Sequence, residues 1–339
     1  MENRLFRFFQ WNDMHIRNME VAGRSGGYPG CNEKAGWAVA CAQGRHGFEV
    51  PDFVASVGDI ICGEIEDYGD DFRFMDEHIT DRMVVPLLPC VGNHENRQGE
   101  GVPEQNLAYD HRYGAMWHNY VYTVGGIAFI VVDTSGAHRE HDAVTEARSA
   151  FVQRAFEKIG SMPVFVLTHV PLIGMREEAS LLPSFGFSSW KVLDQGLLSH
   201  VEDHADQVIA VLCGHIHLTS VRKRRGIQHI MPSGTAGYPA DFASYNVYAD
   251  RVEVEMHRAP AELIGDPSLG DIHGARRHGI DYCDKDHIDH ESYLSGNEDE
   301  RRFTIALDGG KRPTTGAANE LIVWHEISPG RWRESPVPT

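Results

Sequence analysis

The chain has 339 residues, 42% of them hydrophobic and 24% charged, with a formal net charge of −18. That length suits one large domain with an appendage, or two ordinary domains, and no apolar run reaches the ~18–20 residues that span a bilayer. The acidic balance supplies no overall field for holding a polyanion, which argues against a nucleic-acid partner.

The opening run "MENRLFRFFQWND" turns polar too soon for a signal peptide. It reads as a first strand ending at Asp13, with His15 just beyond. The glycine-rich stretch "AGRSGGYPG" (22–30) follows and reads as a flexible rim loop, because it lacks the spacing of a phosphate-cradling loop. "EKAGWAVACAQG" is helical in pattern, and "FVASVGD" is a strand ending at Asp59. "VVPLLPCVGN" leads to Asn93 and His94, and "IAFIVVDTS" is a further apolar strand. In "VTEARSAFVQRAFEKIG" the residues Ala150, Phe151, Ala155, Phe156 and Ile159 recur at helical spacing. "PVFVLTHVP" delivers His169, "VIAVLCGH" delivers His215 with His217 beyond, and "IQHIMPSG" and "RVEVEMHRA" close the main body.

Strands alternating with helices define an α/β fold. Near-continuous apolar strands require both faces of a sheet to be covered. The main body is expected over residues 1–262 and a C-terminal extension over 263–339. Within the extension, 263–300 is polar and rich in Gly, Asp and His, while 301–339 holds terminal strands with a hairpin around Ser328-Pro329-Gly330. The polar part admits two readings, an irregular solvated loop or a substrate-selecting lid. Its run His278–Tyr293 is dense in possible metal ligands but matches no zinc module. The terminal hairpin is a candidate contact for a homo-oligomer. Six cysteines without a CxxC pair point to buried thiols in a reducing cytoplasm.

One regularity matters more than the fold class. Five strands end in a residue able to bind a metal or move a proton: Asp13 with His15, Asp59, Asn93 with His94, His169, and His215 with His217. In α/β sheets the ligand site lies outside the carboxyl ends of the strands. All five ends therefore aim at one edge of the molecule.

In order, the segments read "DMH" (13–15), "GD" (58–59), "GNHE" (92–95), "TH" (168–169) and "GHIH" (214–217). This series resembles the calcineurin-like metallophosphoesterase superfamily over roughly residues 5–260. The resemblance implies a four-layer α/β/β/α sandwich with mixed sheets and two divalent transition metals bridged by Asp59. Asp13, His15 and His217 would complete one metal site, and Asn93, His169 and His215 the other. Imidazole and oxygen donors suit manganese, iron or zinc better than calcium or magnesium. The implied reaction is in-line attack on phosphorus by a hydroxide held between the metals. His94 would touch the phosphate and assist the leaving oxygen as acid or hydrogen-bond donor, work suited to a histidine.

The series is most similar to bacterial cyclic-nucleotide and glycerophosphodiester phosphodiesterases. A small phosphodiester is therefore the expected substrate, with a phosphomonoester or nucleotide pyrophosphate as the alternative. A non-catalytic scaffold of the same fold is the reading from another class, and it is weakened because every ligand position is present. Protein phosphatases of the superfamily carry Asp-Arg-Gly where this chain has Cys62-Gly63-Glu64, and Arg where it has Val91. Losing those arginines removes the grip on a phosphorylated side chain. Cys62 reads as a small packed residue rather than a ligand. Arg97 reads either as a substrate-phosphate contact or as a solvated loop residue. Arg222–Arg225 ("RKRR") reads as a solvated turn or, alternatively, as local steering for an anionic substrate.

Overall fold

The computed structural model describes residues 4–18, 30–63, 68–95, 105–137, 145–177, 190–264, 290–314, 316–317 and 319–338. In chain order the strands are β1 (Phe6–Trp11), β2 (Phe53–Ser56), β3 (Leu87–Leu88), β4 (Tyr120–Val124), β5 (Ile127–Val132), β6 (Val164–Thr168) and β7 (Val208–Leu212). They continue as β8 (Ser220–Arg224), β9 (Ile227–Met231), β10 (Asp241–Val247), β11 (Arg251–Arg258), β12 (Arg302–Ala306), β13 (Ile322–Ser328) and β14 (Arg331–Ser335). The helices are α1 (Cys31–Ala42), α2 (Tyr68–His78), α3 (Gln105–Arg112), α4 (Thr145–Ile159), α5 (Gln195–Asp203), α6 (Ala261–Ile264), α7 (His290–Ser295) and α8 (Glu298–Arg301). Among the described residues no helix is long and apolar enough to cross a membrane.

The strands form two mixed sheets, ordered β12-β11-β10-β1-β2-β3 and β14-β13-β4-β5-β6-β7-β9-β8. Strands β1, β2 and β3 run parallel, as do β5, β6, β7 and β9. Alternation along β1 explains how the layers join. Phe8 points across to the second sheet, with its ring 5.3 Å from Phe129 and 5.5 Å from Phe165. Phe9 points the other way, 5.1 Å from Phe242 of β10, which in turn meets Trp37 of α1 at 5.2 Å. On the far side α4 packs on β5 and α5, burying Phe151, Phe156 and Ile159 as the helical spacing requires. Each fully buried aromatic ring contributes roughly 1.5–3 kcal/mol. Strands β5, β6 and β7 are buried along their whole length, whereas β11 alternates buried and half-buried residues. The central strands are thus covered on both faces, and β11 is wetted on one.

Two elements depart from the sequence reading. The apolar run 84–93 yields only the two-residue β3, because Pro86 and Pro89 have no N–H to give to a ladder. Residues 222–224 are not a turn. They lie in β8, paired antiparallel with β9, and only Arg225 (φ 48°) and Gly226 (φ 81°) form the turn. Arg222 pairs with Glu177 at 3.3 Å, and Arg224 and Arg225 both engage Glu202. Two carboxylates therefore balance two of the four positive charges in the run.

The extension is woven into the main body. β12 adds to β11 at the edge of the first sheet, and β13 adds to β4 in the second. β13 and β14 form an antiparallel hairpin across Pro329.

Candidate metal centre

The site lies on the turns that follow β1, β2, β3, β6 and β7. The turns after β1 and β2 run side by side: Asp13 N donates to Gly58 O (3.0 Å), His15 N to Asp59 O (3.0 Å) and Ile16 N to Ile60 O (2.9 Å). Five candidate ligands have left-handed backbones: Asp13 (φ 47°), His15 (47°), Asp59 (53°), His215 (80°) and His217 (50°). For residues with a Cβ this region costs on the order of 1–3 kcal/mol each and persists only where surrounding structure imposes it. The imposing contacts are visible. A Cβ on Gly214 would come within 2.5 Å of an Asp13 carboxylate oxygen, and one on Gly234 within 2.5 Å of Asp13 Cβ. Only glycine lets these two turns close around Asp13.

The side chains gather in two groups of ligand atoms, each within 4.8 Å of one another: Asp13, His15 and His217, and Asp59, His169 and His215. In the first, His217 Nε2 lies 3.2 Å from Asp13 Oδ1 and 3.0 Å from His15 Nε2. In the second, His169 Nε2 lies 3.1 Å from Asp59 Oδ2. Asn93 Oδ1 joins the second group, 3.0 Å from His169 Nε2 and 2.8 Å from His215 Nδ1. Asp59 Oδ2 is also 3.8 Å from His15 Nε2, so this carboxylate stands between the groups.

Electrostatics fit the same picture. Burial, reinforced by neighbouring His94, lowers His15 to about 3, so its ring is neutral and ready to ligate. Burial opposes ionisation of Asp13 and Asp59, yet His217 beside the first and His169 beside the second hold both well below the usual carboxylate range. Burial likewise opposes charge on His169, but Asp59 overrides it and raises His169 to about 10, the same pull on positive charge that would bind a cation in place of the proton. Imidazole nitrogens facing each other at 3.0 Å, next to two buried carboxylates, form a cradle for cations. The donor set fits two divalent transition ions, with Asp59 placed to serve both.

His94 is outside both groups. Its N–H donates to Asp59 Oδ1 (2.8 Å), and its Nδ1 donates to Cys62 O (2.5 Å). That bond fixes the ring with Nε2 4.0 Å from Asp59 Oδ2. Cys62 is buried, and its sulfur lies within 4.8 Å of ring nitrogens of His15 and His94. Arg97, Gly-rich residues 22–29, the cluster 278–289 and most of the expected lid (265–289) lie outside the described residues.

Several supporting residues carried no role in the sequence reading. Glu95, quoted only as part of "GNHE", accepts four backbone hydrogen bonds. Oε2 takes Asp59 N (2.7 Å) and Gly92 N (2.8 Å), and Oε1 takes Ile60 N (2.6 Å) and Ile61 N (3.0 Å). Burial and the nearby Asp59 raise its pKa to about 7. Asn12 holds the Asp13 carboxylate at 2.7 Å, and Ala236 N donates to Asp13 O at 3.0 Å. Lys34, fully buried, donates to Ala236 O at 2.6 Å. A polar residue flanking a ligand motif was the available signal for Asn12 and Glu95. Gly234 and Lys34 had none.

An arrangement of this kind has a known setting. Residues 6–219 match the family described as calcineurin-like phosphoesterase, and the chain belongs to that family. Among solved structures it is similar to a dimetal phosphatase of Danio rerio (17% identity, 76% of this chain and 97% of that one, TM-score 0.49). It is also similar to GAP50, the anchor in the inner membrane complex of Plasmodium (15%, 76% and 85%, TM-score 0.52). A third is the purple acid phosphatase PPD1 of yellow lupin seeds (15%, 75% and 51%, TM-score 0.49). Such identities speak for the fold alone. No curated protein matches the chain.

Proposed function

We propose that the protein is a binuclear-metal hydrolase of small phosphodiesters. The observation that carries this reading is the pair of ligand groups sharing Asp59, with His94 held beside them. Two divalent ions held there supply Lewis acidity toward phosphoryl oxygens and a nucleophile from water at neutral pH. Asp13, His15 and His217 would hold one ion, Asn93, His169 and His215 the other, and Asp59 would serve both.

The remaining steps belong to the chain's own groups. Cys62 O fixes the tautomer of His94, with a proton on Nδ1 and Nε2 directed toward the cradle. A protonated Nε2 gives its proton to the departing alkoxide, the group a diester of a sugar or glycerol alcohol must release. Val91 stands where protein phosphatases place arginine, which supports a singly charged diester over a dianionic phosphoprotein.

The test is a panel of mono- and diesters assayed with manganese, iron or zinc. The expected result is higher kcat/KM for small diesters. A strong preference for monoesters would replace this reading with a phosphomonoesterase, and no turnover with two ions bound would leave a scaffold.

A further inference from the structure

The family match ends at residue 219, yet the support of the first ligand group comes from far beyond it. Thr219, two residues after His217, is held at every polar atom. Its N donates to Leu294 O of α7 (2.8 Å), and its O accepts from Arg176 Nη2 (2.6 Å). Its Oγ1 donates to Asp241 Oδ2 (2.6 Å) and accepts from Ser233 N (3.2 Å). Asp241 N in turn donates to Ser233 Oγ (2.9 Å). Ser233 precedes Gly234, the residue pressed against Asp13. One fully buried residue, Asp241, thus ties the two turns: its carboxylate holds Thr219 beyond His217, and its backbone N–H holds Ser233 beside the turn that cradles Asp13.

That carboxylate is held by α8. Arg301 meets it with two nitrogens, Nη1 to Oδ2 at 2.7 Å and Nη2 to Oδ1 at 3.1 Å. Arg258 is the weaker neighbour, 3.7 Å away. The preceding residue, Glu300, grips the other side. It accepts from Val221 N (2.9 Å) and pairs with Arg176 (2.8 Å), whose guanidinium also holds Thr219 O. A planar guanidinium spanning both oxygens fixes orientation as well as charge.

We infer that Arg301 and Glu300 are positioning residues of the metal centre. Through Asp241 and Thr219 they set the geometry of the Asp13/His15/His217 group, and they reach the Asp59/His169/His215 group only at one remove, through the His215 N–H that donates to Asp13 Oδ2 at 2.8 Å. This rests on the dimetal reading above. Outer partners of metal ligands typically change affinity by about 10–100-fold, and that is the expected size here.

The experiment titrates Mn²⁺ into metal-free wild type and Arg301→Met, following stoichiometry by calorimetry and the spin-coupled spectrum by electron paramagnetic resonance. Wild type takes up two ions. Arg301→Met retains one tight ion, binds the second about 10–100-fold more weakly, and loses the coupled spectrum until Mn²⁺ is raised. Arg302→Ala, one residue on and exposed in a pair with Glu255, keeps both affinities. Should Arg301→Met fail to fold, Thr219→Val decides, since it removes both Oγ1 bonds while keeping the shape. Two unaltered affinities in the deciding variant overturn the inference alone, as does equal weakening of both ions or the same loss in Arg302→Ala. A wild-type chain that never takes up two ions overturns the dimetal reading together with it.

Discussion

The two halves of the metal cradle are braced in different ways. The Asp59/His169/His215 half is supported from close by. Glu95 lies two residues from Asn93 and collects the amides of the Asp59 turn, while Val57 O accepts from His169 Nδ1 at 2.8 Å. The Asp13/His15/His217 half shares near support from Asn12 and the β2 turn, but it adds a distant brace through Gly234, Ala236, Asp241 and Arg301. The lesson concerns transfer. The first brace travels with the ligand motifs, whereas the second depends on a segment outside the matched family region.

The largest effect should come from erasing the difference. Asp59→Asn removes the charge both halves share, so activity should fall to background and both ions should be lost together on metal analysis. Retention of either ion would break the idea that Asp59 bridges. Next in size is His94→Ala, which touches neither brace. Loss of a general acid should lower kcat by about 10²–10⁴-fold with metal content near normal. Full kcat on a diester with a poor leaving group would remove His94 from the mechanism.

Glu95→Gln probes the local brace. The side chain keeps its shape, but its amide nitrogen must face two N–H donors. The donors left without an acceptor cost about 1–3 kcal/mol each, and the ion on the Asp59 half should weaken by about 10–100-fold. Denaturant unfolding and metal titration check the two parts, and a silent Glu95→Gln would reduce Glu95 to a space-filler.

The smallest effect lies outside both halves. His118 sits between Asp133 (2.7 Å) and Asp110 (2.8 Å). Burial disfavours its charge, yet the two carboxylates raise it to about 9. A pKa raised by folding stabilises fully below the unfolded value of about 6.5 and is lost as pH climbs through about 9. Tm of the wild type should therefore decline across that window, and His118→Gln should flatten the decline without changing metal affinity in either half.

The residues of the cradle were legible because each follows an apolar strand and carries a metal-competent side chain. The central strands were legible for a related reason, being buried on both faces. β8 was not, because an edge strand rich in arginine lacks apolar alternation. The shortness of β3 follows from prolines whose effect depends on strand register. Glu95 was visible as a letter, but its four amide bonds arise only when two turns meet. The Arg301–Asp241 pair is sixty residues apart in sequence and belongs to no periodicity, so only the folded chain reveals it.

The left-handed backbones of the five candidate ligands carry a consequence for how this chain changes over generations. Glycine occupies such conformations without penalty, so replacing Asp13, His15, Asp59, His215 or His217 by glycine relieves backbone strain while destroying chemistry. Selection for stability alone then pushes against catalysis at these positions. A lineage released from the need to hydrolyse phosphoesters would find the loss of its metal ligands a downhill step, and the sandwich would outlast the reaction it was built around.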